Sequence, residues 1–145
     1  MTQVVSIIGV GNMGGGMAAN LLAQGWAVCV HDIDASKVNA LVAHGAVAAA
    51  TPGECAASSA LTIVCVVDAA QTSDVLFGAG GVAAAVPAGH TVMLCPTISP
   101  QDVEAFAQRL ATHGLRTIDA PMSGGPARAR DGTMSLMVAC DDPVF

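Results

Sequence analysis

Three glycines, Gly9, Gly11 and Gly14, punctuate the turn that follows the apolar run Val4–Ile8, and Asp32 closes the next apolar run. Glycine at the first position permits a sharp turn off a strand. At the second it lets backbone approach an anion, and at the third it lets a helix sit close to the strand. With Val10, Asn12 and Met13 between them, they describe a strand–turn–helix whose unpaired N–H groups and positive dipole end face a pyrophosphate. Asp32 is placed to accept hydrogen bonds from an adenosine ribose. The chemistry such a set supports is the binding of a dinucleotide. The glycine pattern alone is weak in a chain with 16 glycines, and the plain alternative is a turn that binds nothing. The flanks strengthen it. Val4–Ile8 is β-branched except at Ser6, as a strand covered on both faces should be. Met13, Met17 and Leu21 then recur four residues apart, one apolar stripe of a helix.

Two further groups have chemical content. Val66 and Val67 end a continuous apolar run that would lie beside the first strand, at the point where ligands of open α/β sheets bind. Thr97 ends a later strand, where a hydroxyl can reach a cofactor or simply stabilise a turn. In Asp119-Ala120-Pro121-Met122-Ser123-Gly124-Gly125-Pro126, the Ser123 hydroxyl and the amides of Gly124 and Gly125 can hold an anion such as a carboxylate. Arg128 and Arg130 follow and read as solvated side chains that can at most steer an acid inward. With a carboxylate at Asp32 and no arginine nearby in sequence for a 2′-phosphate, NAD is expected over NADP. Lys37 is the one neighbour able to offset that carboxylate. His31, His44, His90 and His113 are scattered, with no serine or cysteine partner legible. None reads as catalytic.

The elements that must position these groups alternate. Residues 26–32 read as a second strand, and Asp34 as the N-cap of a helix over 35–42. Residues 46–50 form a short third strand. Thr51-Pro52 opens a small helix, and 61–67 is a fourth strand. A helix over 70–77, a strand over 90–95 and a helix capped by Ser99 and running to His113 follow. A sixth strand spans 116–120 and a seventh 134–139. This is one domain, residues 1–145, with an α/β, doubly wound, mostly parallel sheet and helices on both faces.

Composition narrows the classes. The chain is 53% hydrophobic and 11% charged, with a net charge of −6 and five Lys+Arg. It is too apolar for disorder, and it lacks the basic footprint of a nucleic-acid binder. No apolar run approaches a membrane span, and residues 1–12 read as a strand without the basic start of a signal peptide. The five cysteines, Cys29, Cys55, Cys65, Cys95 and Cys140, show no metal or disulfide spacing. A reducing cytoplasm suits them.

The run Gly9-Val-Gly11-Asn-Met13-Gly14-Gly-Gly-Met17-Ala18-Ala-Asn20-Leu21 resembles the opening of the β-hydroxyacid dehydrogenases, the family of 3-hydroxyisobutyrate dehydrogenase. Thr97-Ile98-Ser99-Pro100, the Asp119–Gly125 stretch and Gly132-Thr133-Met134 resemble its later motifs in the same order. Residues 66–72 and 125–129 look most like the L-threonate dehydrogenase branch. The resemblance implies a Rossmann-type NAD-binding domain, with Gly9 to Gly14, Asp32, Val66, Val67 and Thr97 on the cofactor. It implies Ser123, Gly124 and Gly125 on a small hydroxy-acid substrate, and a homo-oligomeric enzyme. It also implies a catalytic lysine and a helical second domain beyond position 145, so this chain is expected to be truncated and inactive alone. Departures are Val66-Val67 in place of Leu-Pro, Cys140 in place of glycine, and Gly15 and Gly16, each costing about 1 kcal/mol against alanine in a helix. A non-catalytic NAD(H)-binding or sensing module is the second reading. A methyltransferase fits less well, because it usually lacks the third glycine and the serine-glycine-glycine loop.

Overall fold

The computed structural model describes residues 2–145; of the segment 1–12 read as a first strand, Met1 lies outside the described residues. Strands β1 (Val4–Ile8), β2 (Ala27–His31), β3 (Val47–Ala48), β4 (Leu61–Val64), β5 (Thr91–Leu94) and β6 (Arg116–Asp119) form one parallel sheet in the order β3-β2-β1-β4-β5-β6. The chain runs outward from β1 to β3, then crosses back to β4. The direction of winding therefore reverses between β1 and β4, the switch point of a doubly wound sheet.

Period-two alternation divides the core into two layers. Val5, Ile7, Val28, Val30 and Ile63 point to one face, where they meet Met17 and Ala18 of α1 (Asn12–Ala23) and Val38 and Leu41 of α2 (Ala35–Val42). Ile8, Cys29, Val64, Val92 and Leu94 point to the other. There they meet α3 (Pro52–Ala57), α4 (Ala69–Phe77), α5 (Val82–Ala85) and α6 (Pro100–Ala111). Ser6 interrupts the apolar run for a reason: its hydroxyl donates to the Cys55 carbonyl and fastens α3 onto β1. The cysteines are free thiols, and Cys29, Cys55 and Cys95 are buried as small hydrophobes.

Expected caps are present. Asp34 accepts from the Ser36 amide, Thr51 from Glu54 and Ser99 from Asp102. Asp68 is the N-cap of α4, so the helix expected from residue 70 begins at Ala69. The helix expected to reach His113 ends at Ala111, and the fourth strand ends at Val64 rather than 67.

The C-terminal third corrects the sequence reading. Residues 134–139 add no seventh strand to the sheet. Only Ser135–Leu136 (β8) is extended, antiparallel to Met122–Ser123 (β7) in a separate two-stranded ladder. Between them lies a helix the sequence did not reveal, α7 (Gly125–Asp131), packed on α1. A Cβ on Gly16 would stand 3.1 Å from the Ala129 Cβ and 3.2 Å from the Pro126 carbonyl oxygen. Gly16 thus offsets its helix-propensity cost by admitting α7.

Candidate functional site

The chain leaves β1 at Gly9, whose φ of 88° lies in the left-handed region. Its amide donates to the His31 carbonyl at 2.9 Å, tying the turn to β2. A Cβ here would stand 2.7 Å from the Cys65 carbonyl carbon and oxygen; one at Gly14 would stand 1.9 Å from the Gly9 carbonyl oxygen. The protein's own packing therefore demands both glycines. Gly11 differs. A Cβ there would meet nothing within 4 Å, and its φ of −70° suits any residue. Among the described residues, nothing in the protein's own packing requires glycine at this position.

Asp32 sits one residue past β2. Its Oδ2 accepts from the Val10 amide at 2.9 Å and its Oδ1 from the Asp34 amide at 2.8 Å. The acid therefore shapes the glycine turn from below, a positioning role that spacing alone did not reveal. A carboxylate offers about four acceptor sites, so acceptor capacity remains for ribose hydroxyls. Beside it, the Ser36 hydroxyl and amide hold the Asp34 carboxyl below its ordinary pKa.

On the other side of β1, the Cys65 amide donates to the Ile8 carbonyl at 2.8 Å. This brings Val66 to the glycine turn: its amide nitrogen would be 3.0 Å from a Gly9 Cβ. A hydrogen bond from Cys95 and burial push the Cys65 thiol well above its usual pKa, so it stays protonated and inert. Val67 is 78% exposed and Ile33 is 96% exposed. These two apolar side chains follow β4 and β2, on either side of β1, and bracket the turn. Ile33 was not anticipated. Its signal was an apolar residue between the two acids of a strand-to-helix turn.

Thr97 and Ser123 are both exposed, after the C-terminal ends of neighbouring strands β5 and β6. The cap of the turn after β5 is made by Ser99, which leaves Thr97 without a capping task. Gly124 and Gly125 have φ of 125° and 76°, conformations that glycine alone adopts readily. Burial raises the Asp119 carboxyl at the end of β6. Helix α7 brings one arginine to the glycine-turn side of α1. Arg130 lines a groove of about 400 Å³ together with Gly11, Asn12, Lys37 and His44. A cavity of about 540 Å³ at the opposite edge, among Thr2, Gln3, Gln24, Gly25 and Trp26, has no charged lining.

A parallel sheet carrying a glycine turn, a helix N-terminus and an acid at its switch point defines a dinucleotide-binding domain of the Rossmann type. Residues 4–145 match the family model described as the NAD binding domain of 6-phosphogluconate dehydrogenase, and the chain belongs to that family. It is 40% identical over 139 residues to the L-threonate dehydrogenase of Cupriavidus necator, covering 96% of this chain and 47% of that protein. The structure of a 3-hydroxyisobutyrate dehydrogenase from Salmonella typhimurium matches with a TM-score of 0.87 at 37% identity, over 94% of this chain and 47% of that one. Psf3 in complex with NADP+ and 2-OPP matches with a TM-score of 0.92 at 28% identity, over 97% and 50%. The chain spans about half the length of the curated relatives it matches. Among the described residues, no helix is long and apolar enough to cross a membrane.

Proposed function

We propose that the chain is the NAD-binding part of an oxidoreductase acting on the hydroxyl-bearing carbon of a small hydroxy acid, of the L-threonate or 3-hydroxyisobutyrate kind. The observation that carries the reading is the contrast among the glycines. Packing accounts for Gly9 and Gly14, while Gly11 leaves open approach to a helix N-terminus. When bound, the cofactor supplies the hydride acceptor. The chain's residues bind and orient. Gly11, Asn12 and Met13 offer amides to the pyrophosphate, with Val10 held in register by Asp32. Asp32 accepts from the adenosine ribose, and Ile33 and Val67 give apolar faces to the adenine. Val66 and Thr97 flank the path toward the nicotinamide, and Ser123 with the Gly124–Gly125 turn takes the substrate carboxylate.

The only lysine is Lys37, at the start of α2 on the ribose side. No lysine stands near Ser123 to take the proton of a substrate hydroxyl, so these 145 residues bind cofactor without useful turnover. NAD is the preferred dinucleotide, because the Asp32 carboxylate repels a 2′-phosphate. Calorimetric titration of NAD into the wild-type chain and Asp32→Ala tests this. Binding that weakens about tenfold or more in the variant is expected, from the loss of a charge-assisted hydrogen bond and of the tie to Val10. Equal binding by both would remove Asp32 from the site.

A further inference from the structure

We infer that Arg128 supplies the positive charge that meets the substrate carboxylate at the Ser123–Gly125 loop, so that the site selects small hydroxy acids in their ionised form. This rests on the functional reading above and names the residue that sets the charge of the substrate. The Ser123 hydroxyl and the amides of Gly124 and Gly125 are neutral donors, on a chain whose net charge of −6 repels an acid. A carboxylate held there gains from a cation, because a charge-assisted hydrogen bond is roughly twice as strong as a neutral one. The chain has five Lys+Arg to draw on. Lys37 and Arg130 line the groove that contains Gly11 and Asn12. Arg109 lies over the Phe77 ring at 4.0 Å, on the face of the sheet opposite α7. Arg116 begins β6, at the end of that strand far from Ser123. Arg128 is the cation that reaches the loop.

Local packing puts it there. A Cβ on Gly124 would stand 2.9 Å from the Arg128 Cδ, 3.2 Å from its Cβ and 3.4 Å from the Met134 Cα. The aliphatic stem of Arg128 therefore lies against the bare side of Gly124, and its guanidinium begins one bond beyond the atom in contact. Glycine is required at 124 by this stem as well as by its left-handed φ. The backbone beneath the stem is held in place. Ala129 is 2% exposed, packed against Gly16 of α1, and the Arg128 carbonyl accepts from the Thr133 and Met134 amides at 2.9 and 3.2 Å. Arg128 is nonetheless exposed, so its charged end is open to an anion seated on Ser123. A guanidinium fork can meet both oxygens of a carboxylate at once, which an ammonium cannot.

The test follows the backbone amides of the whole chain by NMR, with NAD present, as L-threonate, 3-hydroxyisobutyrate or the methyl ester of the latter is added. The chains are wild type, Arg128→Gln, Arg128→Lys and, as a control of equal charge, Arg116→Gln. In wild type both acids should shift the Ser123, Gly124 and Gly125 amides, and the uncharged ester should bind roughly fivefold more weakly. Arg128→Gln should weaken the acids roughly fivefold or more and abolish their advantage over the ester, while NAD affinity holds. Arg128→Lys keeps the stem and the charge and should recover part of the affinity. Arg116→Gln should match wild type. Acids that bind the loop equally well in Arg128→Gln overturn the inference and leave the functional reading intact. So do equal losses in Arg128→Gln and Arg116→Gln, which would make net charge the cause. A wild-type chain that binds NAD but neither acid also overturns it, and leaves the dinucleotide site standing. Failure of NAD itself to bind removes the functional reading, and the inference with it.

Discussion

At the scale of single residues, the three fingerprint glycines do separable jobs, and two alanine substitutions distinguish them. Gly14→Ala places a methyl 1.9 Å from the Gly9 carbonyl oxygen, a backbone atom that cannot swing aside. Overpacking of this kind costs about 1–3 kcal/mol, partly offset by about 1 kcal/mol of helix propensity gained. The melting temperature should fall by several degrees. Gly11→Ala meets no protein atom within 4 Å, so the melting temperature should hold while NAD binding drops. A Gly11→Ala chain that binds NAD as wild type does would mean that no phosphate approaches this turn. The sharp turn at Gly9 and the close packing at Gly14 were legible in the sequence because both follow from local spacing. The bond from the Val10 amide to Asp32 was not, since it joins residues whose proximity depends on β1 and β2 being paired. Arg130 was hidden for the same reason at longer range. Only the docking of α7 on Gly16 shows that it faces Lys37 across a groove.

At the scale of elements, a buried polar pair joins the central strands. The Thr62 Oγ1 and His90 Nε2 lie 2.8 Å apart, both residues buried, linking β4 to the start of β5. Burial holds the His90 pKa below the ordinary 6.5, against a smaller opposing effect of the Ser59 backbone. The sign follows from linkage. The unfolded chain takes up the proton near pH 6.5 and the folded chain only lower, so stability is full above that pH and declines as pH falls toward the folded value. Urea unfolding at pH 7.5 and 5.5 should show wild type losing stability across the interval and His90→Asn losing less. An equal loss in both would place the titration elsewhere. Strands β1, β2, β4, β5 and β6 and the caps Asp34, Thr51 and Ser99 could be read from apolar runs and from side chains that bond their own helix amides. Helix α7 could not. Its seven residues begin Gly-Pro and carry three charges, and packing on α1 rather than propensity makes it helical. Residues 134–139 alternate as a strand would, yet β8 is antiparallel to β7, and Asp119 meets Ala139 only as an isolated bridge. Periodicity reports a pleated backbone, not which sheet it joins.

At the scale of the whole molecule, residues 136–145 carry several exposed apolar side chains. Leu136, Met137 and Val138 are 39%, 59% and 38% exposed in succession, and Phe145 is 90% exposed. Met122, Met134, Cys140 and Val144 of the same region are only partly buried against the core. The backbone of this surface is fixed, because the Met137 amide donates to the Pro121 carbonyl at 3.0 Å and Ala139 exchanges two bonds with Asp119. Exposed apolar side chains on a fixed backbone favour association, whereas a net charge of −6 opposes it. We therefore expect concentration-dependent self-association that strengthens with salt, as screening removes the repulsion and leaves apolar burial. Met137→Glu should weaken it without disturbing the fold, since only the exposed side chain changes. Light scattering across concentration and salt distinguishes the cases. Association that dissolves in salt would make charge, not this surface, the cause. A monomer at every concentration would show that four exposed apolar side chains do not overcome a net charge of −6.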